Sequence, residues 1–309
     1  MRKTLTVMFL FLCMVVHAQE LSSFIDDDLL AHLGKDEKAA LLMVHFGTTY
    51  DDTRTKTIDA INDKARTAFP QLEVRESYTS RIILRRLKAR GISKETPLEA
   101  MLRLRADGFT HLIVQSTNII DGLEMESLRR DVESVRPFFK DIRVGTPLMY
   151  STDDALHVVD ILADRIPTNA RQREHVLFVG HGTSTPATAI YSEIDYMLKA
   201  ENHPNYHVAT IEGYPTFQNA VQKLKAAKAK TVILAPLMFV AGDHAKNDIS
   251  QEWKEALEKE GFRVLLHLEG LGEVPAIQDI YLKHIDFLMK HRVLDVMEKK
   301  AAYSKQTDK

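Results

Sequence analysis

Eight short apolar runs, separated by stretches of helical periodicity, leave few folds open to this chain. The runs fall at residues 40–46, 72–77, 111–116, 142–146, 175–180, 207–212, 231–236 and 262–267. Most are continuously apolar rather than alternating, which marks strands covered on both faces, as in parallel sheets. Between them, Ile58, Ile61, Ala65 and Phe69 fall on one helix face. Thr96-Pro97-Leu98-Glu99 reads as a capping box with proline at the first helical position. The repeated strand–helix unit fits a closed eight-stranded barrel or two open doubly wound sheets of about four strands each. Periodicity alone does not choose between them.

An internal echo narrows the choice. Leu42-Met43-Val44-His45-Phe46-Gly47-Thr48-Thr49 resembles Leu177-Phe178-Val179-Gly180-His181-Gly182-Thr183-Ser184. Val74-Arg75-Glu76-Ser77-Tyr78 resembles Thr210-Ile211-Glu212-Gly213-Tyr214, and Leu112-Ile113-Val114-Gln115 resembles Val232-Ile233-Leu234-Ala235. The order is the same in both halves, as after a duplication, with the halves meeting near Met149–Asp153. Two similar domains facing each other would form a cleft lined by equivalent strand ends. The expected organisation is an N-terminal extension over residues 19–39, an α/β domain over 40–150, a second α/β domain over 151–292 that carries the candidate site, and a polar tail over 293–309.

Residues 1–18 read as a secretory signal. Arg2 and Lys3 precede an apolar run from Leu5 to Val16, and Val16-His17-Ala18 resembles a small-x-small cleavage site before Gln19. A lipid anchor would use Cys13, but Phe11 and Leu12 are bulky where small residues are expected, so a soluble periplasmic protein is the expectation. No later run is apolar enough to span a bilayer. Cleavage removes Cys13, the single cysteine, so any metal site must be built from His, Asp, Glu or main-chain oxygen. The 41 Lys and Arg against 43 Asp and Glu show no basic excess, which argues against a nucleic-acid partner.

Ligands of open α/β sheets sit beyond the carboxyl ends of the strands. Three second-half strands end in unusual residues. One runs into Gly180-His181-Gly182-Thr183, a second ends at Glu212 before Gly213-Tyr214-Pro215, and a third leads through Leu237-Met238-Phe239-Val240-Ala241-Gly242 to Asp243-His244. Two imidazoles and a carboxylate offered from separate loops make a plausible site for a divalent transition metal, with a position left open. His45, Glu76 and Glu124 are secondary candidates from the first half. His32, His203 and His291 stand in polar contexts and are expected to be solvated. There is no GxGxxG after the first strand, no P-loop and no GxSxG elbow, so no nucleotide or organic cofactor is indicated and no hydrolase triad can be read.

At these residues the chain resembles the anaerobic cobalt chelatases of cobalamin biosynthesis, the sirohydrochlorin cobaltochelatases, within the class II chelatases that share the ferrochelatase fold. The resemblance is carried by Phe46-Gly47-Thr48-Thr49-Tyr50, Arg85-Arg86-Leu87, Val179-Gly180-His181-Gly182-Thr183, Glu212-Gly213-Tyr214-Pro215, Pro236-Leu237-Met238 and Ala241-Gly242-Asp243-His244-Ala245. It covers roughly residues 40–291. It departs at Asn118, where the family usually has histidine, and at Leu123, where it usually has an acidic residue.

The resemblance implies two doubly wound parallel-sheet domains with the active cleft between them. It also implies that His181, Glu212 and His244 bind the metal and act in catalysis. The expected activity is insertion of Co2+, with Fe2+ as the alternative, into a metal-free tetrapyrrole. Residues Phe46, Gly47, Thr48, Gly182, Thr183, Leu237 and Met238 are expected to form the substrate pocket. The expected partners are the tetrapyrrole and the metal ion, and a homo-oligomer is left open. The competing expectation is a periplasmic haem-binding or iron-removing protein, with His181 or His244 as axial ligand.

Overall fold

The computed structural model describes residues 24–294 and 296–307; the expected signal sequence and Cys13 lie outside the described residues. Among the described residues ten strands follow in chain order: β1 Phe24–Asp26, β2 Ala39–His45, β3 Glu73–Tyr78, β4 His111–Ser116, β5 Asp141–Val144, β6 Glu174–Gly182, β7 Tyr206–Glu212, β8 Thr231–Leu237, β9 Arg263–Leu266 and β10 His291–Val293. The eight strands expected from the apolar runs are all present, with ends that agree to within two residues. They form two open four-stranded sheets, ordered β3-β2-β4-β5 and β7-β6-β8-β9, with all neighbours parallel. The fold is therefore α/β with two doubly wound sheets, and the closed barrel is ruled out.

In both sheets the first strand of the half has the second strand on one side and the third on the other. The chain thus reverses its direction of travel across the sheet beside β2 and beside β6. Crevices open at such switch points beyond the strand carboxyl ends, which puts residues 46–48 and 181–183 at the mouths of two equivalent crevices. All seven residues of β2 are buried, as coverage on both faces requires.

The register tests the echo. With Leu42 matched to Leu177, Val114 on the neighbouring strand matches Leu234, as the repeat proposes. The second strand does not keep this alignment. Leu42 pairs with Arg75 while Leu177 pairs with His207, so Glu76 corresponds to Val208 and not to Glu212. The likeness of Glu76 and Glu212 is out of register by four residues. Glu76 lies inside its strand, and Glu212 lies at the tip of its own.

One hydrophobic cluster is shared by the two halves, beside one confined to each half. The shared cluster includes Leu41 and Met43 of the first sheet, Phe178 and Leu237 of the second, and Tyr281 of the helix Pro275–Lys290. That last helix crosses back onto the first sheet, where Tyr281 Oη donates to the carbonyls of Thr117 at 2.9 Å and Asn118 at 3.1 Å. β1 and β10, each three residues long, pair as an antiparallel ribbon. Buried Arg143 on β5 ties this ribbon to the first sheet by donating to the carbonyls of Asp27, just after β1, at 2.6 Å and of His291, the first residue of β10, at 3.2 Å. The segment Val296–Thr307 is helical. Strands this short show no alternation, so periodicity gave no sign of the ribbon. His291, expected to be solvated, instead stacks on Phe287 at 4.2 Å and ends the helix that precedes β10.

Candidate active site

The site is built at the tip of β6. Gly182 has φ +83°, and a β-carbon there would lie 1.5 Å from the carbonyl oxygen of Glu212. Only glycine satisfies both the left-handed backbone and this approach of β6 to β7. The turn leaves His181 half-buried with Nδ1 3.1 Å from the carbonyl oxygen of Gly182. A carbonyl can only accept, so Nδ1 carries the proton and the Nε2 lone pair is free.

His244 reaches the same place from the third strand. It stands at the start of a helix that runs on in wide, π-helical turns over Ala245–Trp253. Such turns are uncommon and recur at functional sites. Its Nδ1 is 2.5 Å from Asp248 Oδ2, one turn further on. With the proton on Nδ1 and shared with a carboxylate, the Nε2 lone pair of His244 is free as well. A carboxylate behind a histidine fixes the ring and raises its basicity as a ligand. The His181 and His244 rings lie 4.8 Å apart, centroid to centroid, nearly perpendicular at 77°.

Both imidazoles line a cavity of about 330 Å³ between the halves. Phe46, Gly47 and Thr48 contribute from the first half, and Gly182, Leu237 and Met238 from the second. Glu124, a secondary candidate, also lines it. Thr183 is buried outside the lining, with its hydroxyl 3.3 Å from that of Thr185. Glu212 is exposed at the end of β7, in register with Gly182, and is also outside the lining. Among the described residues, no three His, Cys, Asp or Glu side chains gather closely enough to hold a metal ion. The structure thus brings together two of the three expected metal-facing residues.

His45 and Glu76, the other secondary candidates, lie behind the cavity wall. His45 is fully buried, with Nε2 3.0 Å from Asn62 Oδ1 and Nδ1 3.0 Å from Thr117 Oγ1. The Asn62 amide donates to Glu76 Oε2 at 2.8 Å, so its oxygen faces His45 and accepts from Nε2. Both ring nitrogens are engaged. Burial pushes the imidazole down to about 4, against the nearby charge of Glu76. Burial also acts to raise the Glu76 carboxyl, but its contact with Lys94 and its other partners outweigh this and hold it below the usual carboxylate range.

Sequence reasoning placed Asp248, Tyr50 and Arg86 in stretches that carry the family resemblance but gave none of them a role in the site. The spacing of four from His244 to Asp248 on a helix was a readable signal for the first. Tyr50 and Arg86 are brought to the site only by the packing of one half on the other. They hold Asp243, whose carboxyl sits below its usual range because Tyr50, and then Arg86, hydrogen-bond it.

Comparison with known proteins agrees with this architecture. The sirohydrochlorin cobaltochelatase of Salmonella typhimurium is 37% identical over 270 residues, covering 86% of this chain and 100% of that protein. The sirohydrochlorin cobaltochelatase CbiKC of Nitratidesulfovibrio vulgaris is 32% identical over 254 residues, covering 80% of this chain and 89% of that one. Among solved structures, SirB from Bacillus subtilis with Fe3+ superposes with a TM-score of 0.58 at 16% identity, over 82% of this chain and 96% of that chain. CbiX, the terminal enzyme for siroheme biosynthesis in denitrifying bacteria, superposes with a TM-score of 0.52 at 17% identity, over 80% of this chain and 98% of that chain. These two show the fold. The cobalt chelatase (CbiK) family matches residues 39–290, and the chain belongs to that family.

Proposed function

We propose that this protein inserts a divalent metal ion into sirohydrochlorin, with Co2+ as the metal substrate and Fe2+ as the alternative. The observation that carries this reading is the pair His181 and His244, which meet in one cavity with Nδ1 tied and Nε2 free on each ring. The names of the matched relatives support the same reaction.

Insertion exchanges two pyrrole protons for one divalent cation. A protein that promotes it must present lone pairs to the metal, hold the macrocycle over it and receive protons. A neutral imidazole nitrogen with a free lone pair can bind a transition metal or accept a proton, so His181 and His244 suit both the first and third tasks. The apolar wall that includes Phe46 and Met238 suits the second. Glu212 is assigned to complete the coordination or accept a proton. This assignment rests on the family resemblance and on its place at the tip of β7.

The test is metal-free sirohydrochlorin mixed with Co2+ or Fe2+, followed by the absorbance change on insertion, beside a haem titration. Insertion well above the uncatalysed rate is expected. No acceleration with either metal, together with tight haem binding, would favour the haem-binding reading instead.

Export belongs to the same proposal, supported by the pattern of residues 1–18. Intact mass of protein taken from its native envelope should correspond to a chain starting at Gln19. A lipidated N-terminal Cys13 would overturn the soluble assignment.

A further inference from the structure

The cleft is bridged by a clasp that the metal-facing pair does not require. Asp243 has both carboxylate oxygens held by the other half of the molecule: Tyr50 Oη donates to Oδ1 at 2.8 Å and Arg86 Nη1 to Oδ2 at 2.7 Å. Lys246, from the same helix start, lies 3.8 Å from the Tyr50 ring centroid and 3.6 Å from Asp52 Oδ2. Tyr50, Arg86 and Asp243 all face the cavity that His181 and His244 line.

Charge makes Arg86 unusual there. Among the described residues it is the only lysine or arginine lining the cavity, while Glu124 and Asp243 bring negative charge. Two arginines nearby are engaged elsewhere, Arg54 with Asp59 and Arg90 with Asp51. The Arg86 and Asp243 side chains are 55% and 45% exposed, so their ion pair is screened by water and easily exchanged. A guanidinium offers a planar fork suited to a carboxylate, and this one already holds one.

We propose that Arg86 recognises a rim carboxylate of the macrocycle, and that Asp243 occupies the guanidinium until the substrate arrives. Binding then exchanges one carboxylate for another on Arg86, while Asp243 keeps its bond from Tyr50. The inference rests on the tetrapyrrole reading above and adds to it a residue that positions the substrate, Arg86, and a carboxylate, Asp243, that holds it before binding.

The test measures binding of metal-free sirohydrochlorin by fluorescence, with no metal added, to the wild type, Arg86→Gln and Asp243→Asn. Etioporphyrin in detergent serves as the probe without carboxylates. Arg86→Gln should weaken sirohydrochlorin binding about 10-fold, the scale of a charge-assisted hydrogen bond. Asp243→Asn, which releases the guanidinium, should tighten it about 3-fold, the scale of an exposed ion pair. Neither variant should change etioporphyrin binding. Arg86→Lys should recover part of the loss, and higher salt should shrink the difference between wild type and Arg86→Gln. A clasp that only braces the cleft would make both substitutions weaken binding, and that result overturns the proposal. Unchanged sirohydrochlorin binding in Arg86→Gln, with cobalt insertion intact in the wild type, overturns it while leaving the proposed function standing. Failure of the wild type to bind sirohydrochlorin overturns both.

Discussion

The tips of β2 and β6 are the same turn built to two different ends. Both strands are central in their sheets, and both run into a glycine with positive φ, Gly47 at +95° and Gly182 at +83°. The residue before each glycine faces the shared cavity, and it is Phe46 in one half and His181 in the other. One position earlier the assignment reverses. The first half has buried His45, and the second has Gly180, where a β-carbon would lie 2.2 Å from the Tyr191 ring. A histidine at the cavity-facing position keeps a free nitrogen. A histidine one residue earlier points into the core, loses both nitrogens to hydrogen bonds and is driven neutral. The chemistry of an imidazole here is set by a single step along the strand.

The largest expected effect follows from that step. His181→Ala and His244→Ala should each lower cobalt insertion by about 10²–10⁴-fold, the range for a lost proton acceptor, while circular dichroism stays native. The double variant should fall short of the product, as the proposed action of both residues on one ion requires. Near-wild-type insertion rates in the folded variants would show that the two tips do not differ in chemistry.

Gly182→Ala should destabilise the fold more than Gly47→Ala. At Gly182 the new β-carbon meets the Glu212 backbone, whereas at Gly47 it meets the Tyr78 ring at 2.5 Å, a side chain that can shift. The expected costs are roughly 3–5 kcal/mol and 1–3 kcal/mol. Chemical denaturation would rank them, and equal costs would show that the β6 turn is no more tightly built than its counterpart.

Acid should expose the buried histidine of the first half. The His45 imidazole falls from its ordinary 6.5 to about 4 on folding, because burial disfavours its charged form. The unfolded chain therefore takes up a proton that the native state refuses. Stability from this group is fully present above pH 6.5 and is lost as pH falls towards 4, by roughly 3 kcal/mol. His207, lowered to about 3 by burial and the charge of Lys199, acts in the same direction. His45→Gln should flatten the fall of the thermal midpoint between pH 6.5 and 4, even where it lowers stability at pH 7. An unchanged slope would mean that His45 is accessible to protons in the native state.

Two smaller effects sharpen the contrast. Asp248→Asn leaves His244 in place but weakens the acceptor behind it, and should reduce metal affinity or insertion about 10–100-fold. Phe46→Ala removes apolar wall at the position equivalent to His181. It should raise the KM for sirohydrochlorin several-fold with kcat little changed, the pattern of lost uniform binding. A fall in kcat equal to that of His181→Ala would erase the distinction between the two tips.

The sheets, the duplicated order of strands and the pair His181 and His244 were legible in the sequence because each depends on local pattern. Buried strands are continuously apolar, and glycine-bounded histidines at strand ends stand out against them. What was not legible depends on register and on packing between halves. The apparent match of Glu76 to Glu212 came from similar residue types and ignored the pairing of the strands, which places Glu76 inside β3. Sequence ranked His45 below His181 but could not show that His45 is buried, since both follow an apolar run and precede a glycine within two residues. Tyr50 and Arg86 meet Asp243 across 193 and 157 residues of chain, and no local pattern records such a contact.

The central claim is that the tip of β6 and the start of the π-helical segment hold the metal, while the matching histidine of the first half does not. X-ray absorption spectroscopy of the protein with bound Co2+ tests this directly, because imidazole ligands give a recognisable scattering pattern. Imidazole scattering should be present in the wild type, retained in His45→Gln and lost in the variant carrying both His181→Ala and His244→Ala. Scattering that persists in that double variant, or that disappears in folded His45→Gln, would contradict the account.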